Sequence, residues 1–108
     1  ADMQTKQLEK ISADPNVSKD GQSRVRVLLA DNHAVCRAGL RCMLLDTEFE
    51  IVCEAHNGRD TVAGAQFLRP DLVLLDTDFP DSNGLDVLRA IVNRHPALPV
   101  VFLTTLDN

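Results

Sequence analysis

The five residues Leu72-Val73-Leu74-Leu75-Asp76 decide how this chain folds. Their apolar run, which we take as a strand over residues 71–75, predicts burial on both faces, as in a parallel sheet. A second run, Val25-Arg26-Val27-Leu28-Leu29-Ala30, predicts another buried strand and is likewise followed by an acid, Asp31. Two apolar strands that each end at a carboxylate indicate a parallel sheet with acids along one edge.

The sequence around these two strands alternates short apolar runs with segments of helical character. Strands are predicted over 25–30, 50–55, 71–75 and 100–103, and helices over 34–45, 60–69 and 85–94. Pro70 and Pro96 follow the second and third helices, where a proline stops helical hydrogen bonding. The order β-α-β-α-β-α-β predicts right-handed crossovers and a doubly wound α/β fold.

Length and charge limit the number of domains and the classes of partner that this chain can have. A chain of 108 residues, 44% of them hydrophobic, is long enough for one small domain, which we assign to residues 24–108. The polar residues 1–23 are an N-terminal extension, either a tail or a short helix over 2–11. A net charge of −5 argues against direct binding to nucleic acid. Without an apolar run of roughly 18 residues or a signal peptide, no membrane contact and a cytoplasmic location are expected.

The three cysteines, Cys36, Cys42 and Cys53, show no C-x-x-C spacing. Neither a disulfide framework nor a zinc site is expected from that pattern. Buried thiols in a reducing compartment are the prediction.

The ends of the predicted strands carry polar residues with a common chemistry. Asp31-Asn32 follows the first strand, Asp76-Thr77-Asp78 the third, and Thr104-Thr105 the fourth. Open parallel sheets bind ligands at this edge. Carboxylates there suit Mg²⁺, a carboxylate can act as a nucleophile, and a hydroxyl can donate to a phosphoryl oxygen. Taken singly, each acid is also explained as a solvated loop or cap residue, and Asn32 or His33 is expected near the cap of the first helix.

Four segments in order resemble the motifs of one family, the response-regulator receiver domain of two-component systems. They are its opening strand (residues 25–33), its phosphoacceptor strand (72–76), its Pro-x-x-x-Gly turn (79–84) and the strand that ends in its switch hydroxyl (101–104). Residues 31–40 and 55–58 look most like receivers that precede a LuxR-type helix-turn-helix.

The resemblance implies a flavodoxin-like fold and a role for each matching residue. Asp76 would be the phosphoacceptor and Thr104 its phosphoryl contact and switch. The Mg²⁺ site would comprise Asp31, Asn32, Asp76 and the backbone carbonyl of Asp78. The implied partners are a histidine kinase or phosphotransfer protein and an output domain or partner protein. The module would control transcription through an output outside this chain, and it would not be a conventional enzyme.

Two departures from the family pattern modify these expectations. Asn32 stands where the family has its second acid, which predicts weaker Mg²⁺ binding and slower phosphorylation. The family continues after the fourth strand with a helix, a fifth strand and a fifth helix, and no lysine after Lys19 matches its phosphoryl-binding lysine. The resemblance is therefore to an incomplete receiver, whose fourth strand would be an exposed edge and whose uncovered apolar surface would favour a homodimer.

Two alternative functions remain open. A pseudo-receiver would bind a protein partner without phosphotransfer, a reading that Asn32 and the unmatched lysine favour. A haloacid-dehalogenase-type phosphatase would use Leu74-Leu75-Asp76-Thr77-Asp78 as its Asp-x-Asp signature, with Asp76 as the nucleophile and Asp78 as the acid.

Overall fold

A computed structural model describes residues 23–103 of the chain. Predictions for residues 1–22 and for Thr104 and Thr105 lie outside this range. The elements are β1 (Val25–Ala30), α1 (Ala34–Leu44), β2 (Phe49–Ala55), α2 (Gly58–Leu68), β3 (Leu72–Asp76), α3 (Gly84–Arg94) and β4 (Val100–Leu103). Their number, type and order agree with the prediction.

The four strands form one parallel sheet in the order β2-β1-β3-β4. The chain therefore runs from the centre to one side and then crosses to the other, as a doubly wound fold requires. The β1–β2 pairing shifts register between Val27 and Leu28. The β1–β3 pairing is regular from Val27↔Leu72 to Ala30↔Leu75. The predicted fold class is confirmed.

The second helix is displaced from its predicted position. It begins at Gly58 rather than Asp60, because the Asn57 side chain accepts a hydrogen bond from the Asp60 N–H and so caps the helix at an earlier residue. It ends at Leu68, since Arg69 adopts a left-handed conformation (φ 48°) before Pro70. The third strand, predicted over residues 71–75, is observed from Leu72 to Asp76.

The core lies between the sheet and helices α2 and α3. Alternate residues of the central strands point to this side. They pack with small and branched side chains of the two helices into one buried cluster: Leu28, Ala30, Ala55, Ala65, Val73, Leu75, Phe79, Val87 and Ile91. The continuous apolar runs seen in the sequence are thus explained by burial.

Helix α1 is attached differently, because it contains no buried residue. Arg41 Nη1 contacts both carboxylate oxygens of Glu54 on β2, at 2.6 and 2.8 Å. Arg37 Nε lies 3.3 Å from the same carboxylate, and Arg37 Nη1 donates to the Asp31 carbonyl at 2.6 Å. Polar contacts therefore hold α1 to the ends of β1 and β2.

The predicted burial of the thiols is wrong for two of the three cysteines. Cys36 and Cys42 are exposed, since they lie on the helix that contributes nothing to the buried core. Cys53, on β2, is half-buried. Burial raises the pKa of its thiol, and the nearby carboxylates of Asp60 and Glu54 raise it further.

The sheet edge formed by β4 is open within the described part of the chain. Val101 and Phe102 are 48% and 38% exposed. This agrees with the expected edge strand. Among residues 23–103, no helix is both long and apolar enough to cross a membrane.

The connection from β3 to α3 folds back on itself as a short hairpin. Gly84 N–H donates to the Thr77 carbonyl at 2.7 Å, and Phe79 N–H donates to the Ser82 carbonyl at 2.9 Å. Gly84 begins α3 against the end of β3. A Cβ atom there would lie 2.5 Å from the Asp76 carbonyl oxygen and 2.9 Å from Thr77 Cα. Both neighbours are backbone atoms, which cannot rotate away.

The first prediction contrasts two helical glycines. Gly84→Ala should destabilise the fold by about 1–3 kcal/mol, because the added methyl group overpacks a backbone contact. Gly39→Ala, on exposed α1 with no atom within 4 Å of the added Cβ, should stabilise it by about 0.5–1 kcal/mol through lower unfolded-state entropy. Urea unfolding followed by circular dichroism measures both. Equal effects of the two substitutions would contradict the close packing at Gly84.

Candidate functional site

The pairing of β1 with β3 places two carboxylates next to each other. Ala30 is paired with Leu75, so the next residues, Asp31 and Asp76, leave the sheet from adjacent central strands. Both acids are buried, Asp31 at 3% and Asp76 at 2% exposure. Since two desolvated acids repel each other, an added positive charge at this carboxyl edge of the sheet would stabilise them.

The Asp76 carboxylate is oriented by two backbone N–H groups. Its Oδ1 accepts from Thr77 N at 2.7 Å, and its Oδ2 accepts from Asn32 N at 3.2 Å. The second bond joins the end of β3 to the residue after β1. Each oxygen retains a lone pair, so the carboxylate is positioned without being blocked.

Asp31 has one satisfied oxygen and one open one. Its Oδ1 accepts from His33 N at 2.7 Å. Within residues 23–103, no donor forms a hydrogen bond to Oδ2, although the side chain is only 5% exposed. A buried carboxylate oxygen that lacks a partner is costly, and a hard divalent cation would satisfy it. The residues at this edge therefore fit Mg²⁺, which takes one or two carboxylates together with waters and phosphate oxygens.

His33 is the site residue that sequence reasoning underrated. It was expected in the cap region, and the structure does place it at the N-cap of α1, although its side chain makes no capping hydrogen bond. Its Nδ1 instead lies 3.3 Å from Asp31 Oδ1 and 3.6 Å from Asp76 Oδ2. The imidazole, 56% exposed, faces both acids from the solvent side. Its only sequence signal was its position two residues after Asp31.

The remaining candidates lie around this pair. Asn32 is exposed and contributes its backbone N–H to Asp76; the alternative that Asn32 caps α1 is wrong, because His33 occupies that position. The Asp78 side chain is exposed and accepts from Thr77 Oγ1 at 3.4 Å. Asp78 and Asn83 lie opposite each other in the hairpin, and the hydrogen bonds that join the two arms are made by the residues on either side of them. The carbonyl of Asp78 therefore accepts no hydrogen bond within the hairpin.

Asp81 links the hairpin to α2, a contact that the sequence did not predict. Its Oδ1 accepts from Gly58 N at 2.7 Å and its Oδ2 from Arg59 N at 3.1 Å. A carboxylate at a helix N-terminus is stabilised by the unpaired N–H groups and by the helix dipole. The hydrogen bond from Gly58 is the main cause that lowers the pKa of the Asp81 carboxyl, and the bond from Arg59 adds to it.

Comparison with known proteins identifies relatives along most of the described chain. Residues 27–108 match the family described as the response regulator receiver domain. The response regulator GacA of Pseudomonas viridiflava is 34% identical over 84 residues, covering 77% of this chain and 39% of that protein. The transcriptional regulatory protein YdfI of Bacillus subtilis is 38% identical over 84 residues, covering 76% of this chain and 38% of that protein.

Solved structures show the same likeness. The response regulator domain of Thermotoga maritima CheB superposes with a TM-score of 0.72 at 28% identity, covering 79% of this chain and 63% of that one. The chain spans about two-fifths of the length of GacA and YdfI.

The second prediction concerns pH and Asp81. Since the pKa of Asp81 is lowered by folding, its stabilising effect is complete above the unfolded-state value of about 3.9 and is lost as the pH falls through the lower folded-state value. Asp81→Asn should therefore lower the melting temperature at pH 7, and the difference from wild type should shrink below roughly pH 4. Thermal unfolding at several pH values measures it.

Ser82→Ala is the matched control, because it removes only a side-chain donor to Asp81 at 3.2 Å. It should keep most of the pH dependence of the wild type, because the hydrogen bond from Ser82 is the smallest of the causes that lower the pKa of Asp81. A difference between Asp81→Asn and wild type that stays constant from pH 7 to pH 3 would contradict the role of the Asp81 charge.

Proposed function

Because the chain belongs to the response-regulator receiver domain family, we propose that it accepts a phosphoryl group on Asp76 from a histidine kinase or phosphotransfer protein. The observation that carries this proposal is the pair of buried acids: Asp76, oriented by two N–H groups, stands beside Asp31, whose Oδ2 has no hydrogen-bond partner within residues 23–103. A nucleophile and an adjacent cation site are what phosphoryl transfer to a carboxylate requires.

The chemistry follows from the arrangement of this edge. A carboxylate oxygen of Asp76 attacks phosphorus, forming an aspartyl phosphate while the bond from phosphorus to the donor breaks and the donor retains that electron pair. Bound Mg²⁺ would supply positive charge to the transferring oxygens. Asp31, Asp76, the Asp78 carbonyl and the Asn32 amide would hold it. The N–H groups of Thr77 and Asn32 orient the nucleophile before transfer.

The response to phosphorylation is proposed on the same basis. An aspartyl phosphate carries about −2 charges in place of the single negative charge of the carboxylate, and it presents three strong acceptor oxygens. Thr104, one residue after β4, would donate its hydroxyl to one of them and so report the modification. We propose that the signal reaches an output domain or partner protein, that this output controls transcription, and that the module is cytoplasmic and acts as a homodimer.

A second candidate function is favoured by a specific observation at position 32. An exposed amide stands where a second acid would add negative charge to the cation site. If the remaining acids bind Mg²⁺ too weakly, the domain is a pseudo-receiver that recognises a protein partner without phosphotransfer. The phosphatase alternative is not retained, since its segment, residues 74–78, is the end of β3 with the two residues that follow, in a chain that matches the receiver family over residues 27–108.

The third prediction tests the acceptor. Incubation of the folded chain with Mg²⁺ and acetyl phosphate or phosphoramidate should add one phosphoryl group by intact mass. Asp76→Asn should abolish the adduct. Asp78→Asn is the control, because the proposed ligand at that position is the backbone carbonyl, and it should retain the adduct. A folded wild type that gains no mass with either donor would favour the pseudo-receiver instead.

The fourth prediction concerns the departure at position 32. Asn32→Asp should raise Mg²⁺ affinity by about tenfold, equivalent to about 1.4 kcal/mol, because a carboxylate adds charge and a hard oxygen ligand. As a control, Asn93→Asp adds the same charge at an exposed position near the C-terminus of α3, the end away from Gly84 and Asp76. It should leave the affinity unchanged. Calorimetric Mg²⁺ titration decides, and equal affinities for wild type and Asn32→Asp would exclude position 32 from the site.

A further inference from the structure

The start of α1 places three different metal-binding side chains together. A carboxylate oxygen of Asp31, an imidazole nitrogen of His33 and Sγ of Cys36 all lie within 4.8 Å of one another. Asp31 follows the last residue of β1, His33 is the N-cap residue of α1, and Cys36 lies in the first turn of that helix. The N-terminal end of α1 therefore adds a nitrogen and a sulfur donor to a site whose other ligands are oxygens.

We propose that Asp31, His33 and Cys36 form a site for a thiophilic divalent cation such as Zn²⁺. Thiolate, imidazole and carboxylate are the three side-chain ligands that Zn²⁺ accepts, whereas Mg²⁺ prefers oxygen alone. The buried Asp31 carboxylate supports a bound cation independently, since its Oδ2 has no hydrogen-bond partner within the described residues and its side chain is only 5% exposed.

The geometry requires only small movements. Zinc–ligand bonds of about 2.0–2.3 Å separate tetrahedral ligands by about 3.3–3.8 Å, so donors now within 4.8 Å must approach by about 1 Å. Asp31 is held by the sheet, but His33 and Cys36 are exposed and can change rotamer. Three protein ligands leave a fourth tetrahedral position open for water, whereas structural zinc sites have four protein ligands.

The site would affect the acids next to it. His33 Nδ1 lies 3.6 Å from Asp76 Oδ2, and Asp31 belongs to both ligand sets. Bound Zn²⁺ would therefore displace Mg²⁺ and oppose phosphorylation of Asp76, a consequence that rests on the proposed function. Zinc binding itself does not depend on phosphotransfer.

The fifth prediction tests binding first, with the reduced full chain. Calorimetry should give one Zn²⁺ per chain in the presence of excess Mg²⁺, and Co²⁺ should give a thiolate charge-transfer band. Cys36→Ser should abolish the band. Cys36→Ser and His33→Ala should each weaken Zn²⁺ binding at least about tenfold, because loss of even an outer-sphere partner of a metal can lower affinity by that much. Cys42→Ser, another exposed thiol on α1, should match wild type. A Zn²⁺ affinity that is unchanged in Cys36→Ser, or that falls as much in Cys42→Ser as in Cys36→Ser, overturns the proposal.

The second arm measures inhibition. Zn²⁺ should slow the labelling of wild type by acetyl phosphate and Mg²⁺. Each protein is compared with its own labelling rate without Zn²⁺. Cys36→Ser should need at least about tenfold more Zn²⁺ than wild type for the same fractional slowing. A wild type that binds Zn²⁺ through Cys36 yet is never labelled would overturn the phosphoacceptor function and leave the zinc site standing. Labelling that is equally sensitive to Zn²⁺ in both proteins would overturn the link between them.

Discussion

The pairing of β1 with β3 is the constraint on which the rest of this structure depends. The residue after Ala30 and the residue after Leu75 are both acids. Because Ala30 lies opposite Leu75, the two carboxylates are desolvated side by side. Apolar burial around Leu28, Val73 and Leu75 stabilises this register. A shift by one residue would turn those side chains away from the core and separate the acids, so core packing and site assembly are the same requirement.

The surroundings of the acid pair are built from backbone groups more than from side chains. N–H groups of Asn32, His33 and Thr77 hold the two carboxylates, and the hairpin before α3 is closed by its own backbone hydrogen bonds. Such contacts survive many side-chain changes. They explain how a site of this kind can carry an amide at position 32 and an imidazole at position 33 without losing its framework.

The two sides of the sheet differ in how their helices are attached. Helices α2 and α3 pack through buried apolar residues, whereas α1 has no fully buried residue and is joined to β2 by Arg37 and Arg41 on Glu54. Partly exposed ion pairs contribute little stability, typically no more than about 1 kcal/mol each. The helix that carries His33 and Cys36 is therefore the one with the least buried attachment, which suits a segment whose side chains must rearrange around a bound ion.

The sequence by itself determined the α/β class, the order of the seven elements and the two acids at the central strand ends, because each follows from local hydrophobic pattern and from the rule that parallel strands expose their carboxyl ends together. It could also identify the family, since the motifs around Asp31, Asp76 and Gly84 are contiguous. Only the tertiary structure decided that His33 faces both acids, that Cys36 is exposed beside Asp31, and that Asp81 caps a helix 23 residues earlier in the chain. These contacts depend on side-chain direction and on loop closure, which a pattern of residue types does not encode.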